Sequence, residues 1–253
     1  MNPFILAETN WKTIKDQRID LAVLPWGATE AHNFHLPFST DNIMVEKIAQ
    51  ESAREAWSKG ARTIVLPSIP FGVNTGQMDI KLNINLNPST QFAILDDVVD
   101  VLNRHEIYKF LILNGHGGND FKQIIRELGL KYPKMFICCC NWYQSFKNSD
   151  FFEASGGHAD EMETSMMLYL TPDLVLPLIE AGKGHGKKFT IKALNENWAW
   201  AERKWSQVTT DTGIGDPSKA TMEKGEKCFN EVIMKIGDLM TELSKADVNN
   251  MYK

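Results

Sequence analysis

Two short stretches of the sequence contain closely spaced residues of the types that bind metal ions. Glu30 and His32 lie two positions apart, and Asp41 follows nine positions after His32. Alternate side chains of an extended segment leave the same face, so Glu30 and His32 can converge on one point, to which a loop would return Asp41. In the second stretch His116 lies beside Gly117, where the missing side chain leaves space for a ligand. Imidazole with carboxylate is the ligand set of Zn, Mn or Fe(II).

A third segment adds His158, which two glycines precede and a predicted helix follows. Glu161 and Glu163 lie about 200° apart on that helix, so only one of them can face a site. Glu163 falls among apolar residues, and a buried carboxylate needs a partner, for which a metal ion is the simplest candidate. We therefore expect Glu163 at the site and Glu161 at the surface or rim, although the spacing alone leaves the choice between them open.

Other residues are compatible with more than one role. His35 is either a ligand or a neighbour of the ligands, whereas His105 and His185 fit surface or capping positions. The glycine-rich stretch 114–119 is compatible with a phosphate-binding loop, but it lacks the Lys and Ser/Thr of a P-loop. A cluster of tryptophans either lines a pocket or packs against another element or subunit: Trp198, Trp200 and Trp205.

The elements that must position these residues follow from alternating apolar runs and amphipathic stretches. The predicted strands cover residues 21–25, 62–67, 108–113 and 135–140. The predicted helices cover residues 43–57, 90–105 (with Ser89 as N-cap), 120–130, 159–170 and 217–246. This alternation predicts a parallel sheet covered by helices on both faces, with ligands bound beyond the carboxyl ends of the strands. We expect one domain over residues 1–253, with residues 70–90 as a long functional loop.

Composition limits the class of protein. The chain has 253 residues, 43% of them hydrophobic, which suits one large α/β domain. A net charge of −5 argues against nucleic acid as a partner, and no apolar run is long enough to span a membrane. The N-terminal residues lack the basic start and long apolar region of a signal peptide. Adjacent cysteines at 138–140 cannot form a disulfide framework, so we expect a reduced, cytoplasmic protein.

The order of the motifs resembles that of the creatininase (creatinine amidohydrolase) family. Residues 24–41 are similar to its pattern Leu-Pro-x-Gly-x-x-Glu-x-His-Gly-x-His-Leu-Pro, which ends in Thr-Asp. Residues 114–119, 158–165 and 213–225 resemble the later motifs of the family, in the same order. The resemblance covers nearly the whole chain, and it is more specific for the family than for any substrate.

This resemblance implies a three-layer α/β/α fold with a mainly parallel sheet, a homo-oligomer such as a hexamer, and two divalent transition metal ions per chain (Zn, Mn or Fe). Glu30, His32 and His116 match metal ligands of the family. Asp41 matches the ligand that bridges the two ions, and His158 matches a histidine that transfers protons.

The chain departs from creatininase proper at two places. Gly117 and Gly118 stand where that enzyme has a Tyr and a ligating Glu, so Glu163 is our candidate for the missing carboxylate. Trp142 matches one tryptophan that closes over creatinine, but the segment before His158 offers no second one. We therefore expect Trp142 and the two glycines to contact a substrate other than creatinine. Family members with the Gly-Gly form include deformylases and peptide-processing enzymes.

The predicted function is metal-dependent hydrolysis of a C–N bond in a small cyclic amide, formamide or related substrate. A metal-activated water would attack the carbonyl while His158 moves the proton, and Glu163 would either complete the shell of the second ion or orient the water. The alternative is a non-catalytic metal-binding or nucleotide-binding protein on the same α/β scaffold.

Overall fold

The computed structural model describes residues 2–154 and 156–252. Met1, where the N-terminal segment begins, Ser155, in the segment before His158, and Lys253 lie outside the described residues.

A parallel four-stranded sheet forms the centre of the fold, in the order β2-β1-β3-β4. The strands are β1 (Leu21–Trp26), β2 (Thr63–Val65), β3 (Lys109–Asn114) and β4 (Phe136–Asn141). Every residue of β1 is buried, as expected for a central strand covered on both faces. Trp26 pairs with Asn114, and Asn114 pairs with Asn141, so the carboxyl ends of three strands lie level at one edge.

The helices in the described part of the chain are, in order, α1 (Trp11–Ile14), α2 (Thr40–Ser58), α3 (Pro88–Arg104), α4 (Lys122–Lys131), α5 (Glu161–Leu170), α6 (Lys192–Asn195), α7 (Trp205–Val208) and α8 (Met222–Lys245). Short 3-10 turns lie between them, including Thr75–Gln77 and Trp142–Gln144. Among the described residues, no helix combines the length and apolar character needed to cross a bilayer.

Alternate residues of the strands build two separate cores, which makes the fold three-layered. Leu21, Val23 and Leu111 pack with residues of α2, α5 and α8 on one face of the sheet. Ala22 and Phe110 point to the other face and pack with residues of α3 and α4. The period-2 alternation of side chains along a strand produces this division. The structure thus confirms the predicted α/β/α layers and parallel sheet.

Three helices, α2, α3 and α5, begin at residues other than the predicted ones. The predicted N-cap Ser89 is wrong: α3 begins at Pro88 after Asn87, because proline lacks the N–H that the first helical turn leaves unpaired. Helix α2 begins three residues before the predicted 43, so Asp41 lies in its first turn and not on a loop. Asp160 caps α5 by accepting hydrogen bonds from the N–H groups of Met162 and Glu163.

Candidate metal centre

Four segments bring the candidate ligands together at the carboxyl edge of the sheet. Glu30 and His32 follow β1, His116 follows β3, Asp41 lies in the first turn of α2, and Glu163 lies in the first turn of α5. The N–H of Gly115 donates to the carbonyl oxygen of Trp26 (2.8 Å), which holds the turn after β3 against the end of β1. All five side chains are buried. Two of these segments therefore follow strands of the sheet, and the other two are the N-termini of helices.

His116 forms the first group of potential ligands with two carboxylates. Its Nδ1 lies 2.8 Å from Oε1 of Glu30 and 3.0 Å from Oδ2 of Asp41. Its Nε2 lies 3.0 Å from the carbonyl oxygen of Val73, which can only accept a hydrogen bond, so Nε2 carries a hydrogen. Nδ1 is therefore the nitrogen available to a metal ion, and the Val73 carbonyl fixes the orientation of the ring.

His32 forms the second group on the other side of Asp41. Its Nε2 lies 3.2 Å from Oδ1 of Asp41 and 3.8 Å from Oε2 of Glu163. Its Nδ1 lies 3.1 Å from the carbonyl oxygen of Glu30, to which it donates. The two oxygens of Asp41 thus face different histidines, and in each group the ligand atoms lie within 4.8 Å of one another. Asp41 therefore lies between the two groups of potential ligands.

His158 reaches the same centre from the loop before α5. Its Nε2 donates to the carbonyl oxygen of Ala31 (2.9 Å), and its Nδ1 lies 3.8 Å from Oε1 of Glu30. Backbone hydrogen bonds with Ile214 in both directions fix the loop (3.1 and 2.8 Å). The ring lies 4.8 Å from that of Trp205 in an edge contact. The free Nδ1 of His158 therefore faces the ligands, and its other nitrogen is occupied.

The electrostatics of the centre follow from burial opposed by close opposite charges. Burial lowers the pKa of His32, but Asp41 and Glu163 more than offset it and raise it to about 10. Burial alone would raise the pKa of Glu30, but the neighbouring His116 more than offsets this effect and holds the pKa of that carboxyl well below its usual range. Burial raises the pKa of Glu163 to about 8, and burial together with His32 lowers that of His158 to about 4.

This charge distribution fits a metal centre. Glu30, Asp41 and Glu163 bring three buried carboxyl groups together, and the adjacent His32 and His116 supply at most two positive charges. In the metal-free protein the protonated histidines offset the charges of Glu30 and Asp41, and Glu163, whose pKa is raised to about 8, is mostly neutral. Divalent cations would take the place of these protons, and the three carboxylates would then offset the charge of the ions. The nitrogen and oxygen donors match the preferences of Zn, Mn and Fe.

The two carboxylates of α5 have different environments, and one prediction about them is wrong. Glu163 faces His32, and its Oε2 accepts a hydrogen bond from the N–H of Ala159. Glu161 is fully buried and not at the surface or rim, because α8 covers this side of α5 with Lys224. Its carboxylate accepts hydrogen bonds from Lys224 and from the N–H groups of Glu153 and Ala154, so it points away from the centre.

The glycines after His116 differ in the space around them. A Cβ at Gly118 would lie 2.3 Å from the carbonyl oxygen of Val73 and 2.4 Å from Nε2 of His116, so this position excludes a side chain. No atom outside the adjacent residues lies within 4 Å of a Cβ at Gly117. Val73 and the ring of His116 fill the space beside Gly118, and the replacement of the missing carboxylate by Glu163 stays a prediction. The substrate contacts of Gly117 and Gly118 stay predictions.

The other predicted residues lie around the centre or away from it. Nε2 of His35 lies 2.9 Å from the hydroxyl of Thr164, and His35 belongs to none of the ligand groups found among the described residues. Trp142 is fully buried in the core against Phe146, so its substrate contact also stays a prediction. Exposed positions are occupied by the side chains of His105, His185, Trp198 and Trp200.

Two residues beside the centre have roles that the sequence pattern does not indicate. Gln77 is buried and donates from Nε2 to Oε2 of Glu30. Trp205, grouped above with Trp198 and Trp200, is the one of the three that contacts His158. Neither lies at a position that spacing singles out, because Gln77 ends a three-residue 3-10 turn and Trp205 begins a four-residue helix.

Comparisons with known proteins show which proteins this chain resembles in sequence and fold. The family profile described as Creatininase (creatinine amidohydrolase) matches residues 7–240. A Bacteroides fragilis protein, crystallised as a candidate creatinine amidohydrolase, is 42% identical and superposes with a TM-score of 0.93 over 100% of both chains. Two creatininase structures are each 20% identical to this chain and cover 96% of it and 99% of their own length. The TM-score is 0.78 for the Zn-Zn form and 0.80 for the Mn form. The mycofactocin precursor peptide peptidase of Mycolicibacterium smegmatis is 24% identical over 220 residues, 85% of this chain and 82% of its own.

Proposed function

The chain belongs to the creatininase family, and we propose that it is a metal-dependent amidohydrolase that cleaves a C–N bond of a small substrate, as a single domain over residues 1–253. The arrangement of Asp41 carries this proposal. Its two carboxylate oxygens face the two histidine groups at 3.2 and 3.0 Å, as a ligand shared by two ions requires. A protein that only stored or sensed one ion would not need this second group.

We assign the ligands of the two ions from the groups around Asp41. Glu30 and His116 would hold one ion, and His32 and Glu163 the other. Zn, Mn or Fe bound there would supply an activated water and polarise the substrate carbonyl. Glu163 takes the role of the carboxylate that Gly118 cannot provide, because a side chain at that position would collide with Val73.

His158 is the residue we assign to proton transfer. Its Nε2–H is held by the carbonyl oxygen of Ala31, so only Nδ1 can accept or donate a proton at the centre. Burial and the neighbouring His32 lower the pKa of His158 to about 4, so near neutral pH the ring is neutral and Nδ1 presents a lone pair to the centre. It can accept a proton there and deliver it to the leaving nitrogen. The edge contact with Trp205 limits the movement of the ring.

The substrate class follows from what the chain has and lacks. Creatinine is not the expected substrate, since the Tyr-Glu pair is absent and Trp142 lies in the core. Cyclic amides, formamides and short peptides are the candidates, the last supported by the similarity to a precursor peptide peptidase. We expect creatinine turnover well below a kcat/KM of about 10⁴ M⁻¹s⁻¹, the lower end of values for enzymes on their own substrates.

We propose a homo-oligomer in the cytoplasm. Phe34, Leu176 and Ile179 are exposed large apolar residues, and the N–H of Leu176 donates to the carbonyl oxygen of His35, which places their segments side by side. An apolar surface of this kind suits a contact with another copy of the chain. The cysteines of the described residues are free, which fits a reducing compartment. Light scattering after size-exclusion chromatography measures the oligomeric state.

Metal analysis combined with a substrate screen tests the proposed function. We expect about two transition-metal equivalents per chain and hydrolysis of at least one cyclic amide, formamide or peptide, lost after chelation and restored by metal. Asp41→Asn should lose both metal and activity, whereas Asp173→Asn at an exposed position should lose neither. Protein without metal that binds nucleotides tightly would instead support the non-catalytic alternative.

A further inference from the structure

Gln77 and Asn83, which we call the amide pair, connect the side chain of Glu30 to the backbone of the next residue. Gln77 donates from Nε2 to Oε2 of Glu30, and Asn83 donates from Nδ2 to Oε1 of Gln77. The N–H of Ala31 donates to Oδ1 of Asn83 at 2.8 Å. These hydrogen bonds form a closed ring behind the carboxylate of Glu30, on the side away from His116.

The backbone fixes the orientation of every amide in this ring. The N–H of Ala31 can only donate, so Asn83 must present its oxygen to it and its nitrogen to Gln77. Gln77 must then present its oxygen to Asn83, which leaves its nitrogen for Glu30. Amide groups are often ambiguous in orientation, but here one peptide N–H determines both. Gln77 can therefore act only as a donor towards Glu30.

We propose that the amide pair positions Glu30 as a metal ligand, a role that rests on the metal binding proposed above. Gln77 engages Oε2, so the carboxylate directs Oε1 towards His116 (2.8 Å) and His158 (3.8 Å), where the ion would lie. Glu30 and Gln77 are both almost completely buried, so no water would replace the lost donor easily. Hydrogen bonds from outer residues to metal ligands are commonly worth 10- to 100-fold in metal affinity.

The loop that carries the amide pair is itself anchored on both sides. Asn74 donates from its side chain to the carbonyl oxygen of Ile84 (3.1 Å), and its N–H donates to the side chain of Asn85 (2.8 Å). These bonds set the distance between Gln77 and Asn83. Among the described residues the side chain of Asn83 forms no hydrogen bond with a candidate ligand side chain, and it donates to Gln77, so we assign its effect on a metal ion to the orientation of Gln77.

Zn²⁺ affinities of the full chain, measured by competition with a chromophoric chelator after metal removal, test the proposal. Gln77→Leu removes the donor, and Asn83→Asp removes the amide hydrogens that orient Gln77. We expect each to weaken one of the two Zn²⁺ sites by about 10- to 100-fold. The double variant should be no weaker than Gln77→Leu alone, because Asn83 acts through Gln77. Leu82→Asp adds the same charge one residue away at an exposed position and should leave the affinity unchanged.

Three outcomes would overturn the proposal. Wild-type Zn²⁺ affinity in both single variants would do so, even if the metal-free variants unfold at lower temperature, since that shows a purely structural role. Effects that multiply in the double variant would show that Asn83 acts independently of Gln77. Wild-type protein that binds no Zn²⁺ would overturn the proposed function and this proposal together, whereas the first two outcomes leave the proposed function intact. If Gln77→Leu does not fold, the Zn²⁺ affinities of Asn83→Asp and Leu82→Asp test the proposal, and equal affinities would overturn it.

Discussion

Two glutamates in the first turn of α5 allow the same chemical change to be made at two neighbouring positions with opposite expected results. Glu163→Gln changes a carboxyl that faces His32, and Glu161→Gln changes one that is paired with Lys224. Both substitutions keep the size of the side chain and replace an ionisable carboxyl group with a neutral amide. We expect the first to remove a metal ion without weakening the metal-free fold, and the second to weaken the fold without removing metal.

The magnitude for Glu163 follows from its buried position. Burial raises its pKa to about 8, so at pH 7 the neutral carboxyl predominates in the metal-free protein. Glutamine resembles that neutral form and its oxygen can still accept from Ala159, so the metal-free unfolding temperature should not change. The ion loses one of three protein ligands, a larger loss than that of an outer partner, so its affinity should fall by more than about 100-fold.

The magnitude for Glu161 follows from its hydrogen bonds. The carboxylate is fully buried and accepts from a lysine and two backbone N–H groups. Hydrogen bonds to a charged group contribute about 1.5–3 kcal/mol each, of which the variant retains part. Loss of one corresponds to a decrease of about 3–12 °C in unfolding temperature for a chain of this size.

Metal stoichiometry by elemental analysis and unfolding temperature by calorimetry, each with and without Zn²⁺, separate the two effects. We expect Glu163→Gln to retain about one ion and to lose orders of magnitude in activity, and Glu161→Gln to retain about two. If Glu163→Gln keeps both ions tightly bound while Glu161→Gln loses one, the assignment of the fifth ligand is refuted.

Three further expectations concern the same centre. His116→Ala should abolish activity but leave cooperative unfolding and circular dichroism intact, because the residue lies on a loop; loss of folded protein would show a structural role. Trp205→Ala should lower kcat/KM about tenfold, because the ring of His158 loses the contact that limits its movement. Trp200 is exposed, so Trp200→Ala should leave kcat/KM unchanged, and equal effects of the two substitutions would contradict this role of Trp205. Because the folded pKa of His32 is raised from 6.5 to about 10, its stabilisation of the metal-free protein is complete below about pH 6.5 and lost as the pH rises through 10. The unfolding temperature should therefore fall between pH 7 and 10, and a value independent of pH would contradict the charge pairing of His32.

The part of the centre that could be predicted from sequence is the part that regular elements deliver. Glu30 and His116 follow adjacent parallel strands, whose carboxyl ends must meet at one edge, so their proximity follows from the topology. The helical period also predicted that the side chains of Glu163 and Glu161 point in different directions, as they do in the structure. It could not show that Glu161 is buried, because the period of one helix does not show that Lys224 of a distant helix covers its other side.

Residues held by irregular backbone could not be predicted in this way. Gln77 and Asn83 lie in a long loop whose path depends on hydrogen bonds between side chains and backbone, such as that from Asn74 to Ile84. Trp205 reaches His158 from a short helix far along the chain. No periodicity marks such positions, since nothing constrains a loop residue to face a given side before the fold around it exists.

The arrangement of ligands on separate segments also determines when in folding a metal ion can bind. Asp41 and His116 approach within 3.0 Å only if β1 and β3 have paired and α2 has packed on the sheet. Glu163 joins them only when α5 has docked beside α2. An ion therefore cannot nucleate this fold as it does in a zinc finger, where neighbouring residues supply the ligands. An ion held by these ligands would bind to a nearly complete fold and stabilise it, so we expect metal depletion in a cell to shorten the lifetime of the folded protein more than it reduces the yield of folding.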